Sequence, residues 1–305
     1  MIWVWAFLAC AAIAPFAREA FRKSITDRDR ATAPGAVINL PQGATYYHWR
    51  GPKDGPVAVC VHGLTTPSPV WDNVADTMAE MGYRVLTYDL YGRGLSAYAR
   101  GVQDATFFTR QLHELLDALN VPGDITLLGY SMGGAITPFF AVANQGRLRQ
   151  LVLIAPAGLG HDLGPATRLI ANTGFLGTWV MHAVYPRSFR RACETERALP
   201  GQIVDLQVSQ LDRRGFVPSV LSSLRGVLDM PLTDTHRALA ASGLPVVAIW
   251  GAQDDIIPLS GKETLCALNP SATHEVIDGA GHSLTYTDSA AVSAALKRHL
   301  IPLQA

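Results

Sequence analysis

Short runs of adjacent apolar residues alternate along the chain with longer stretches in which apolar positions recur every three or four residues. Val57-Ala58-Val59-Cys60-Val61 and Val246-Val247-Ala248-Ile249-Trp250 are continuous, the pattern of strands buried on both faces of a parallel sheet. Comparable runs at residues 84–89, 125–128 and 151–154, with less apolar strand patterns at 37–40, 44–50 and 273–277, bring the expected strands to eight. Between them, residues 104–119 set Phe107, Phe108, Leu112, Leu115, Leu116 and Leu119 on one helical face. Residues 71–81, 135–143, 260–268 and 288–300 read as further helices. Such alternation predicts an α/β protein: a mostly parallel eight-stranded sheet with helices on both faces.

The alternation stops between residues 160 and 243. Helical stretches at 166–185, 202–211 and 218–228 occupy this region without a buried strand, as a helical cap inserted between two sheet strands would. The expected organisation is therefore an apolar segment at 1–23, a polar linker at 24–36, sheet core at 37–159, cap at 160–243 and the remaining core at 244–305. In the cap, Phe175, Leu176, Trp179, Val180, Met181 and Val184 form a stripe that is either cap core or the lining of an acyl pocket. Arg213-Arg214 is read as a solvated pair, with lipid head groups as the alternative partner.

Residues 1–17 carry no charged side chain, and Arg18, Arg22 and Lys23 follow them. Three readings compete: a cleaved signal peptide, a buried structural helix and a membrane anchor. No basic residue precedes the apolar run, which counts against a signal peptide. Seventeen helical residues reach about 25 Å, somewhat short of a hydrocarbon core of about 30 Å. Trp3 and Trp5 suit one interface, and the basic cluster suits the cytoplasmic side. The membrane is thus the expected partner of this segment, placing the chemistry on the cytosolic side of an inner membrane. Export after signal cleavage is the alternative.

Composition narrows the field. The 25 basic and 25 acidic side chains balance, so charge offers no case for nucleic acid. Cys10, Cys60, Cys193 and Cys266 are far apart, without metal-site or disulfide-framework spacing. No metal or cofactor is expected. The anticipated partner in solution is a small-molecule or lipid ester.

The chemistry gathers at Gly129-Tyr130-Ser131-Met132-Gly133-Gly134, which joins an apolar run to a small-residue helix. In G-x-S-x-G, the strand-to-helix turn is so tight that only glycine fits beside the serine, whose Oγ is left exposed at a helix N-terminus. A serine hydroxyl needs a base, and the base needs an orienting acid. Asp254 follows the strand ending at Trp250, and His282 follows the strand ending near Ile277. Parallel strand ends converge on one sheet edge, where Ser131, Asp254 and His282 can meet. The adjacent Asp255 follows the same strand as Asp254, and Asp89 also ends a strand, so both are further candidates for the acid; Asp89 reads first as a hydrogen-bonding partner of the Gly92–Ser96 loop. His48, His113, His161, His182, His236, His274 and His299 lack motif context and read as surface or satisfied polar residues.

These motifs, with His62-Gly63, Asp89 and Gly92-Arg93-Gly94-Leu95-Ser96, resemble the α/β-hydrolase fold superfamily over residues 57–300. The resemblance implies the α/β-hydrolase fold and a Ser131-His282-Asp254 triad, its acid three residues after Gly251 and four before Pro258, which leaves Asp255 as a solvated or loop-capping residue. It also implies an oxyanion hole made from the backbone N–H groups of Leu64 and Met132, with His62 holding the shape of the loop. Trp250-Gly251-Ala252-Gln253-Asp254 with Ser260-Gly261 is similar to the membrane-anchored monoacylglycerol lipase branch. The expected activity is hydrolysis of lipid-like carboxylic esters. Two alternatives share the motifs: a carbon–carbon bond or small-ester hydrolase of aromatic catabolism, and a non-catalytic hydrolase-like binding protein.

Overall fold

The computed structural model describes residues 1–160, 164–195 and 201–300. Its single sheet contains β1 (Ala36–Leu40), β2 (Gly43–Arg50), β3 (Val57–Val61), β4 (Arg84–Tyr88), β5 (Ile125–Tyr130), β6 (Leu148–Ile154), β7 (Val246–Gly251) and β8 (Thr273–Ile277). The spatial order is β1-β2-β4-β3-β5-β6-β7-β8. β2 pairs antiparallel with both β1 and β4, and the remaining pairs are parallel.

Every residue of β3, β5 and β7 is buried, so the sheet needs cover on both faces. Successive side chains point to opposite faces. Accordingly Val57, Val59 and Val61 enter one core cluster, while Ala58 and Cys60 enter the other.

The helices follow the chain as α1 (Ile2–Ala20), α2 (Asp27–Ala31), α3 (Asp72–Glu80), α4 (Ala105–Ala118), α5 (Met132–Ala143), α6 (Gly164–Asn172) and α7 (Gly174–Thr195). Then come α8 (Gly201–Gln210), α9 (Phe216–Arg225), α10 (Thr233–Ser242), α11 (Ser260–Leu268), α12 (Leu284–Thr287) and α13 (Ser289–His299). The apolar faces of α4 and α5 fill the first core with Phe108, Leu112, Ile136 and Phe140. α3 and α13 close the second with Val74, Met78, Val292 and Leu296.

Several local expectations change. The stretch 24–36 is not only a linker: Thr26 and Asp29 form a capping box that starts α2. The helix expected at 166–185 is two helices, because Gly174 adopts a left-handed φ of 52° and restarts the chain in a new direction. α10 lies within residues 160–243 yet packs on α5 and α11 of the core. Leu239 turns inward with it. His161 lies outside the described residues.

His236 on α10 departs from its expected polar setting. It is fully buried, and neither ring nitrogen has a hydrogen-bond partner among the described residues. Burial pushes its pKa down from 6.5 to about 4. Between those values the unfolded chain binds a proton that the folded chain refuses. Stability therefore falls as pH drops through this window. Replacing His236 with Leu is expected to reduce the pH dependence of unfolding by about one proton there, as urea titrations across the window would measure.

Candidate active site

Ser131 sits between β5 and α5 with φ 54° and ψ −116°, a backbone conformation costing about 1–3 kcal/mol for a residue other than glycine. The surroundings leave it no other choice. Its N–H donates to the Ile154 carbonyl at 3.0 Å, and its own carbonyl accepts from Gly134 at 2.8 Å and Ala157 at 3.1 Å. The flanking glycines are sterically required. A Cβ on Gly133 would lie 2.1 Å from the Val61 carbonyl oxygen, and one on Gly129 would lie 2.4 Å from Thr137 Oγ1. The turn thus forces α5 tightly against the ends of β3 and β5.

His282 and Asp254 reach the serine from loops after β8 and β7. His282 Nε2 lies 2.9 Å from Ser131 Oγ, and His282 Nδ1 lies 2.9 Å from Asp254 Oδ2. With Nδ1–H donating to the carboxylate, Nε2 is the acceptor facing the hydroxyl. The second carboxylate oxygen, Oδ1, accepts from the N–H groups of Ile256 at 2.9 Å and Ile257 at 2.7 Å. Asp254 is thereby fixed and buried, whereas Asp255 is exposed at the cavity margin. The Tyr130 hydroxyl donates to the His282 carbonyl at 2.9 Å, and the two rings stack with centroids 5.5 Å apart. The residue before the serine therefore holds the loop that carries the histidine.

Leu64 and Met132 both line the same cavity as Ser131 and His282. The loop bearing Leu64 is held from both sides. His62 Nδ1–H donates to the Gly63 carbonyl at 2.8 Å, while its Nε2 accepts from the Leu90 N–H at 2.9 Å. In a trans peptide this points the Leu64 N–H the opposite way from the Gly63 carbonyl. Burial pushes the His62 pKa down to about 3, so the ring keeps this neutral form at neutral pH.

On the other side, the Leu64 carbonyl accepts from Arg93 Nε at 3.1 Å. The remaining guanidinium donors reach the Tyr91 carbonyl at 2.9 Å, Gln103 Oε1, the Ser219 carbonyl at 3.1 Å and Ser223 Oγ at 2.7 Å. All five acceptors are neutral. Arg93 is fully buried, and burial lowers its pKa to about 9. It ties the Leu64 loop to α9 of the helical insertion. The loop sequence alone gave no signal for that partner, because Ser219 and Ser223 lie more than a hundred residues away.

Asp89 lies apart from the serine. Its carboxylate accepts from the N–H groups of Ser68 at 2.7 Å and Leu95 at 2.8 Å, shaping the Gly92–Ser96 loop as expected. The cavity has a volume of about 350 Å³. The α7 residues in its wall are Phe189, Ala192 and Cys193; the stripe from Phe175 to Val184 does not line it, which rules out its reading as an acyl-pocket lining. That earlier stripe belongs to the half of α7 facing α1, where the Trp179 indole donates to the Ala11 carbonyl. Ile256, Ile257 and Leu228 extend the apolar wall, and Thr65, Gln207 and Ser283 supply polar atoms. Among the described residues no group of three His, Cys, Asp or Glu side chains gathers as a metal site requires. Arg213, expected to be solvated, pairs with Asp29 at 3.0 Å.

A sequence model of the alpha/beta hydrolase fold family matches residues 56–289. The chain belongs to the α/β-hydrolase fold family. Among curated relatives of this α/β-hydrolase, a putative non-heme chloroperoxidase of Synechocystis is 27% identical, covering 88% of this chain and 99% of its own. A pimeloyl-[acyl-carrier protein] methyl ester esterase of Aliivibrio salmonicida is 25% identical, covering 85% and 97%. Among solved structures, a thermophilic esterase of Thermogutta terrifontis superposes with a TM-score of 0.69 at 23% identity, covering 87% of this chain and 97% of its own. This last likeness concerns the fold.

Arg93→Lys tests the loop support. A lysine has at most three donors for five acceptors, so at least two of the five buried hydrogen bonds are lost. The expected cost is about 2–4 kcal/mol of stability, read from the urea midpoint.

Proposed function

We propose that this α/β-hydrolase is a serine hydrolase of carboxylic esters, with Ser131 as nucleophile, His282 as general base and acid, and Asp254 as the orienting acid. The unbroken pair of 2.9 Å hydrogen bonds from Ser131 through His282 to Asp254 carries this reading. Ser131 Oγ attacks the ester carbonyl carbon as its proton passes to His282 Nε2. The carbonyl π electrons move to oxygen, and that oxyanion accepts hydrogen bonds from the N–H groups of Leu64 and Met132. Collapse breaks the bond to the alkoxy oxygen, which leaves as an alcohol with the proton from His282. Water, deprotonated by the same nitrogen, then attacks the acyl-serine. The second tetrahedral intermediate releases a carboxylic acid and restores Ser131 Oγ–H. Asp254 stabilises the imidazolium formed in both halves, held ready by two backbone N–H donors.

The substrate class is a lipid-like ester of the monoacylglycerol type. Two observations support it. The wall formed by Phe189, Ala192, Leu228, Ile256 and Ile257 suits an acyl chain, with Thr65, Gln207 and Ser283 available to a polar head. The apolar helix α1 also suits a membrane-associated enzyme of the monoacylglycerol lipase branch. The family's esterase relative acts on an ester of an acyl-carrier protein by its name, which fits acyl-ester chemistry in this fold.

A fluorophosphonate probe is expected to label the wild type and to leave Ser131→Ala unlabelled. Labelling that survives this replacement would reject the assignment. Asp254→Asn should keep the fold and lower kcat by about 10⁴-fold, because it inverts the hydrogen bond that fixes the histidine tautomer. In an ester panel of graded chain length, long-chain monoacylglycerols should be turned over with higher kcat/KM than short soluble esters. The reverse order would exclude the lipid reading and leave the esterase reading standing.

A further inference from the structure

Helix α1 is clamped to the insertion through a defect of its own making. Pro15 has no N–H, so the carbonyl of Ala11, four residues earlier, has no helical donor. The indole Nε1 of Trp179 on α7 fills the gap at 3.2 Å. Beside it, the Phe16 ring lies against Phe175 and His182, with centroids 5.6 and 5.3 Å apart. One turn further, Glu19 accepts from the Gly215 N–H at 2.7 Å and pairs with Arg22. Ala11, Phe16 and Glu19 are thus held on α7 and on Gly215 at the start of α9, whereas Ile2 to Cys10 are exposed throughout.

We infer that α1 and α7 form one face that docks into a single leaflet of an anionic bilayer, carrying the insertion with it. Three quantities support that occupant. The unclamped part of α1, Ile2 to Cys10, measures about 13 Å along the helix axis, close to half of a hydrocarbon core of about 30 Å. It can enter one leaflet; spanning would strip Trp179 and Glu19 of their partners. The apolar surface continues from α1 onto α7. Trp3, Trp5 and Phe7 are 86%, 69% and 72% exposed, and Phe175 and Leu176 are 71% and 62% exposed next to Phe16. Lastly, residues 1–23 and 164–194 carry seven Lys or Arg and two Asp or Glu, in a chain whose formal charge is zero. That local excess matches an anionic leaflet. Because α7 also reaches the cavity wall through Phe189, Ala192 and Cys193, the docked face lies on the same helix as the site.

Vesicle flotation of the full chain tests this directly and does not depend on the hydrolase reading. Wild type should float with vesicles of equal parts phosphatidylglycerol and phosphatidylcholine, and at least about fivefold less with phosphatidylcholine alone, owing to its basic residues. The combined replacement Phe175→Ser with Leu176→Ser, which leaves α1 untouched, should lower flotation at least about fivefold, as should Trp3→Ser with Trp5→Ser and Phe7→Ser. Circular dichroism establishes folding of each variant. Fluorophosphonate labelling of the same samples reports separately on the reactive serine, since neither set touches the cavity wall. Undiminished flotation of the Phe175/Leu176 variant would reduce the anchor to α1 alone and overturn the proposal. So would failure of wild type to float, or a dimer in lipid-free solution that the same replacements dissociate.

Discussion

The left-handed backbone of Ser131 is the constraint on which the site depends. A side chain at that φ is unfavourable, and the fold opposes the cost with three backbone hydrogen bonds and a packing geometry that admits only glycine at positions 129 and 133. Relaxing the turn would pull α5 away from β3 and open the first core. The strain therefore cannot be relieved locally. It is spread over the most buried strands of the sheet, which is why the hydroxyl stays at a fixed place on the strand edge.

Around this point the support is layered outward. His62 fixes the peptide before Leu64, and Arg93 fixes the peptide after it. His62 in turn is set by the Leu90 N–H, and Arg93 by Gln103 and α9. The loop bearing Leu64 and helix α9 consequently share a single buried cation. A displacement of α9 cannot leave the Leu64 carbonyl where it is without unpairing buried acceptors. Position of the insertion and geometry of the loop are thus mechanically linked, through neutral acceptors rather than through an ion pair.

What was legible in the chain follows the range of the forces involved. Continuous apolar runs identified the central strands, because burial on both faces writes itself into consecutive residues, while β1, β2 and β8 at the margins are only partly buried and showed as weaker strand patterns. The turn around Ser131 was visible because sterics act over a few positions, and Asp254 was singled out from Asp255 by the resemblance to the family's pattern. Contacts between distant segments left no such trace. Nothing near Pro15 announces Trp179, and nothing near Arg93 announces Ser223. The stripe from Phe175 to Val184 has the periodicity of a pocket lining, yet this half of α7 faces α1, and the residues two turns later reach the cavity instead. His236 looked like any other histidine, since burial without partners is a property of the packed interior and not of the neighbouring sequence.

The spacing of the two loops that meet at Ser131 has a consequence for biosynthesis. The serine turn belongs to a strand near the middle of the polymer, whereas the imidazole follows β8, which pairs only with β7 at the sheet's far margin. A nascent chain emerging from the ribosome can therefore assemble the central strands with the Ser131 hydroxyl still lacking its imidazole partner. The contact between Ser131 Oγ and His282 Nε2 can form only when the last strand has docked and the Tyr130 hydroxyl has caught the following loop. Chain order alone leaves this cluster to be completed last.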